Sequence, residues 1–190
     1  MTVPVLGIFT AGQILTSDDM NETGSAVNGL GLFIVKTQTI GTAVSSVTVT
    51  GAFSADYESY RIIVSGGTAS SNAVSRMTLG ASAAGYYSSI QYASYAGVAA
   101  TVAGNGIAYW NLGYGSLEGL SACIDIHKPF IAEETWYNGS FVGVSAGSVQ
   151  GSIGGYHNLG LSYSAFTITA GAGTFTGGTI RVYGYRNSYS

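Results

Sequence analysis

The chain of 190 residues is 46% hydrophobic but only 8% charged, where an average domain carries about 25% charged residues. Its net charge of −3 includes just six basic residues, dispersed along the chain, which is no footprint for nucleic acid. A single cysteine, Cys123, excludes a disulfide framework and a cysteine-based zinc site, and no apolar run is long enough for a membrane span.

The length allows one domain with an appendage and a core that needs no staples. Glycine occurs 29 times and tyrosine 14 times. Many β-branched residues and few Leu, Lys and Glu accompany them, which points to an ordered all-β protein. A surface with so few charges tends to self-associate, and a permanent oligomer would bury it. The charges are also unevenly spread. All nine acids and four of the bases precede residue 135, and only Arg181 and Arg186 follow it.

Residues 1–30 differ from the rest. The start, "MTVPVLGIFTAG", lacks a basic n-region, so no secretory signal is expected. In "LTSDDMNETGSAVNGL", Thr16 suits an N-cap, and Asp19 three residues later suits a capping box. Asp18 and Asp19 favour the positive end of a helix, and Met20 supplies an apolar contact. Gly24 and Gly29 stop any helix early. The expectation is an extended arm with one or two helical turns that orders only against a partner. Ile14, Leu15, Thr16, Asp19 and Met20 are its candidate docking residues.

From residue 31 to 190 the pattern is strands and glycine-rich turns. "LFIVKTQTI" and "SVTVTGAF" come first. In "ESYRIIVSGG", Tyr60, Ile62 and Val64 share one face and Arg61 and Ile63 the other. In "AVSRMTLGAS", Val74, Arg76 and Thr78 oppose Ser75, Met77 and Leu79. "GYYSSIQYASY" is an aromatic strand or hairpin, followed by "GIAYWNLGYG". "GLSACIDIHKPF" turns Ala122, Ile124 and Ile126 inward and Cys123, Asp125 and His127 outward. "TWYNGSFVGV", "VQGSIGGYHN", "SAFTITAG" and "GTIRVYGYR" complete a set that describes an antiparallel sandwich or barrel. So strong a last strand is expected inside a sheet or between subunits, since an exposed edge invites aggregation.

Signals for chemistry are weak. "GVSAG", residues 143–147, matches a nucleophile elbow around Ser145. The triad order needs an acid and then a histidine; His157 follows, but no Asp or Glu occurs after Glu134. Cys123, Asp125 and His127 at i, i+2, i+4 have a spacing that can hold a soft metal, but one face of a strand is the simpler reading. His157 reads as a loop residue. Carboxylates for glycoside cleavage would have to come from Glu118, Asp125, Glu133 and Glu134, and the adjacent Glu133 and Glu134 diverge on a strand. There is no phosphate-binding or dinucleotide motif. The expectation is a protein without catalytic residues, metal or cofactor.

The aromatics are more suggestive. Tyr86, Tyr87, Tyr92 and Tyr95 cluster in one stretch, Tyr109, Trp110 and Tyr114 in a second, Trp136 and Tyr137 in a third. Exposed aromatics beside Asn and Ser offer an apolar face with a polar tip, suited to stacking on sugars. The first set is the candidate ligand-binding site; the tryptophans are expected in the core.

"FTAGQILTSDDMN", residues 9–21, resembles the start of bacteriophage tail-fibre and minor tail proteins, where a short module precedes a β-rich part. "FSADYESYRIIVSG", residues 53–66, with "GTFTGGTIRVYGYRN", residues 173–187, is similar to paired segments of phage virion proteins. The resemblance implies a virion location, a homotrimer and a non-enzymatic role: a tail-fibre or tail-tip protein engaging a host-surface glycan or protein, or alternatively a head fibre or capsid decoration protein. No heptads or shaft repeat are present. The resulting scheme has residues 1–30 docking on other virion proteins of tail or capsid. Residues 31–190 form a jelly-roll-like antiparallel β-sandwich, with its last strand paired to "DYESYRIIV". Arg181 and Arg186 would meet acids of residues 56–58 or 133–134.

Overall fold

A computed structural model describes residues 31–143 and 148–185. The arm, with Ile14, Leu15, Thr16, Asp19 and Met20, lies outside the described residues, as do Ser145 and Arg186. Fourteen strands and no helix occur among the described residues. They are β1 (Leu32–Thr39), β2 (Ser46–Val49), β3 (Ser59–Ser65), β4 (Thr68–Ala69), β5 (Val74–Leu79), β6 (Tyr86–Ser94) and β7 (Ala99–Ile107). There follow β8 (Trp110–Tyr114), β9 (Ser121–His127), β10 (Thr135–Gly143), β11 (Val149–His157), β12 (Phe166–Thr169), β13 (Phe175–Thr176) and β14 (Thr179–Tyr185).

The strands form an eight-stranded antiparallel sheet in the order β1-β14-β3-β9-β10-β11-β6-β7 and a four-stranded one in the order β2-β12-β5-β8. A two-stranded ribbon joins β13 to β4. The larger sheet supplies Tyr60, Ile62, Ile124, Ile126, Ile90 and Val182 to the core, all wholly buried. The smaller supplies Val49, Met77, Leu79, Trp110 and Phe166. Trp110 of β8 stacks on Tyr137 of β10 at 4.4 Å and 28°, which joins the two layers face to face in a sandwich-like arrangement.

Period-two alternation decides most faces. β3 buries Tyr60, Ile62 and Val64, β5 buries Met77 and Leu79, and β9 buries Ile124 and Ile126, each as expected. β14 pairs with β3 in register, Val182 opposite Ile62, and β1 covers its other side. The last strand is therefore internal, and its apolar residues Ile180 and Val182 reach the core. The strand order does not itself spell a jelly roll.

Three strands escape the sequence pattern. β4 and β13 have two residues each. β7, "AATVAGNGI", is built of small residues that carry little strand propensity, and pairing with β6 makes it a strand. His157 is also not a loop residue. It ends β11, is wholly buried, and lies 4.3 Å from the Tyr86 ring and 5.4 Å from the Tyr163 ring. Its Nε2 lies 3.0 Å from the Ala84 carbonyl and 2.9 Å from Ser82 Oγ. Burial disfavours the charged imidazole and lowers its pKa, against the opposing pull of backbone hydrogen bonds. The unfolded chain then binds a proton that the folded chain refuses. Stability is expected to be full above about pH 6.5 and to fall as the pH drops below it. Melting temperatures at pH 8 and pH 5.5 check this: His157→Gln should show a smaller drop than the parent.

Candidate ligand-contact site

The outer, solvent-facing side of the larger sheet carries the candidate site. Direct cross-strand partners in an antiparallel sheet point the same way. The pairings Tyr185–Ser59, Ser59–His127, His127–Trp136, Trp136–Tyr156 and Tyr156–Tyr87 therefore form one row across β14, β3, β9, β10, β11 and β6. The adjacent row reads Tyr183, Arg61, Asp125, Asn138, Gly154 and Ser89.

Three rings of the first row form a ladder. Trp136 stacks on Tyr156 at 5.2 Å and 27°, and Tyr156 on Tyr87 at 4.7 Å and 5°. Rings so close and so nearly parallel must overlap face to face. Both faces of Tyr156 are thus covered by its neighbours, and the unshared faces are at the ends, on Trp136 and Tyr87. Trp136 is 50% exposed. Among the described residues its ring stacks only on Tyr156, and its Nε1 has no hydrogen-bond partner.

Beside the ladder lies a polar network. Arg61 Nε and Nη2 donate to the two Asp125 carboxylate oxygens at 2.8 and 2.7 Å, and the Tyr185 hydroxyl donates to Asp125 Oδ1 at 2.7 Å. The Arg61 guanidinium lies 5.5 Å from the Tyr185 ring centroid. Burial alone would raise the Asp125 pKa, but the hydrogen bonds from Arg61 and Tyr185 and the arginine's charge together hold it below the usual range. Burial, then the hydrogen bond to this carboxylate, pushes Tyr185 up to about 12. His127 Nδ1 lies 3.0 Å from Ser59 Oγ, and its Nε2 lies 3.3 Å from Asn138 Oδ1. An amide oxygen can only accept, so His127 Nε2 donates to Asn138.

The expected faces of β9 are observed, since Cys123, Asp125 and His127 do point outward together. Asp125 is already held by Arg61 and Tyr185, however, and His127 by Ser59 and Asn138. Arg181 donates to Ser65 at 3.2 Å and meets none of the expected acids. Glu133 lies in the loop before β10 and accepts from Lys128 at 2.7 Å.

The four tyrosines of the candidate set do not form one site. Tyr86 is wholly buried: its hydroxyl accepts from the Leu79 amide at 2.7 Å, and ligand contact through it is ruled out. Tyr92 also turns inward, where the Tyr114 hydroxyl donates to its own at 3.1 Å. Tyr87 is on the outer face, and Tyr95, 66% exposed, is in the β6–β7 turn. Tyr87 alone joins the ladder. The two tryptophans also part company. Trp110 is core as expected, whereas Trp136 is on the surface. Its neighbours Thr135 and Tyr137 are both buried, an order that puts the hydroxyl residue inward and the indole outward and that the sequence does not signal.

Two concavities elsewhere offer less. An apolar cavity of about 30 Å³ between the sheets, bordered by Leu112, Phe141 and Ile168, is far smaller than a small-molecule pocket. An open groove of about 600 Å³ runs between residues 80–84 and 159–165. Its Ser82 and Ser162 hydroxyls are engaged with His157 and the Phe130 carbonyl. No family model, curated protein or solved structure matches the chain.

Proposed function

We propose that this chain is a non-enzymatic bacteriophage virion protein: a tail-fibre or tail-tip appendage that contributes to host-surface attachment. The observation that carries this reading is the exposed ladder of Trp136, Tyr156 and Tyr87 beside a polar row. A half-exposed tryptophan on an otherwise hydrogen-bonded sheet face is the kind of surface that a partner covers. The resemblance of residues 9–21, and of the segments that contain β3 and β14, to phage virion proteins supplies the setting.

In this reading residues 1–30 dock on another virion protein, and the β-rich part projects as a jelly-roll-like homotrimer. Three linked copies raise avidity without tight binding at any one site. A head-fibre or capsid-decoration role is the alternative. It is favoured by the apolar side chains on the sheet's edge strand β1, where Ile34 is 61% exposed and Leu32 is 41% exposed. A neighbouring virion protein would cover them.

Adsorption kinetics test the two readings. Purified protein, added in excess, is expected to slow attachment of the virions that carry it to their host cells. Antibody raised against the β-rich part should label the tail in electron micrographs. Unchanged adsorption with label over the capsid would overturn attachment and leave the decoration role.

A further inference from the structure

Resting on the attachment reading, we propose that the β9-facing side of Trp136 is the stacking face for a neutral pyranose ring of a surface glycan, with Asn138 as its polar partner. Trp136 has one ring face covered by Tyr156, and the other turns along the row toward His127, Ser59 and Tyr185. On the adjacent row Asn138 and the Arg61–Asp125 pair form a polar floor beside that face.

The chemistry of the floor selects the ligand. Asn138 gives its Oδ1 to His127, which leaves its Nδ2 without a partner among the described residues. The Trp136 Nε1 is the second free donor. The charged pair of the two rows, Arg61 and Asp125, is neutralised within itself by a bidentate contact. A carboxylated or phosphorylated ligand would bring a charge to rows whose one guanidinium is already paired, and would lose hydration in the process. A cation meets the same objection, because Asp125 already accepts three hydrogen bonds. A neutral ring with an apolar C–H face and hydroxyl edges satisfies both the indole and the amide. On the next row Gly154 presents no side chain: a Cβ there would meet only the Tyr137 carbonyl, at 3.6 Å, which leaves space above Asn138. A flat protein epitope has no such need for free donors at the edge of a single aromatic face.

The probes are methyl glycosides of glucose, galactose and N-acetylglucosamine, with glucuronic acid as the anionic control. The readout is tryptophan emission together with calorimetric titration of the full chain. Trp110 is buried and Trp136 half exposed, so a change on stacking reports Trp136. At least one neutral glycoside is expected to give a saturable blue shift. Trp136→Ala should weaken binding at least tenfold, Asn138→Ala severalfold, and Tyr95→Ala not at all. Saturable binding that survives Trp136→Ala, preference for the glucuronate, or no response to any neutral glycoside would overturn the proposal. Should Trp136→Ala fail to fold, Asn138→Ala and Trp136→Phe, which keeps a flat apolar face, decide the matter. Adsorption separates this inference from the reading beneath it. Trp136→Ala protein that still slows virion adsorption sinks the pyranose site and spares attachment. Trp136-dependent glycoside binding with no effect on adsorption does the reverse.

Discussion

Replacing Trp110 with alanine is expected to destabilise the protein by about 3–5 kcal/mol, the range for removing a large buried aromatic. Trp110 is wholly buried at the centre of the contact between the two sheets. It stacks on Tyr137, meets the Tyr86 ring edge-on at 5.4 Å and 82°, and donates its Nε1–H to the Tyr156 carbonyl at 3.0 Å. Alanine would leave a cavity, and it would strip that carbonyl of its indole donor. A domain of this size holds about 5–15 kcal/mol in total, so the variant should unfold at a much lower urea concentration with an unchanged slope. Trp110→Phe keeps most of the apolar volume and should lose roughly half as much. The same experiment touches function, because the carbonyl that Trp110 holds belongs to the residue at the middle of the surface ladder. A loss below about 1 kcal/mol for Trp110→Ala would contradict the packing described for this core.

The second large effect is expected at Gly155. This residue sits in β11 between Tyr137 of β10 and Ser88 of β6. A Cβ there would overlap the Tyr87 carbonyl oxygen and press to 2.9 Å on the Ser88 Cα and on the Tyr137 ring. Two of those three obstacles are backbone, which cannot swing aside as a flexible side chain can. Gly155→Ala is therefore expected to cost about 3 kcal/mol or more, or to prevent folding. The neighbouring Gly154 faces solvent, and Gly154→Ala should stay within about 0.5 kcal/mol of the parent. Thermal unfolding of the pair checks the contrast, and equal melting temperatures would count against it. Because the clash falls on Tyr87, a folded Gly155→Ala protein should also show a disturbed ladder, read as altered Trp136 emission.

Much of the fold is written locally. In β3, β5 and β9 apolar and polar residues alternate, so the buried face follows from period two alone. The pairing of β14 with β3 is also legible, because both are strong β-branched strands that no exposed edge could safely carry. The low charge and the many tyrosines announce an all-β chain with well-covered strands.

The candidate site is another matter. In "TWYNG" and "GYYSS" two large side chains stand side by side, so alternation cannot say which one turns inward. The structure buries Tyr137 and Tyr86 and exposes Trp136 and Tyr87, because the inward partners complete the Trp110 and His157 cluster between the sheets. Register then does the rest. Tyr87 meets Tyr156 only because β6 pairs with β11, a strand roughly seventy residues further along, and Trp136 meets His127 and Tyr156 only through β9 and β11 on its two sides. The sequence by itself determined the chemical supply: strands, aromatics and few charges. Only the tertiary structure decided which aromatics share a surface and which fill the core, since that depends on pairings between distant strands and on packing across the layers.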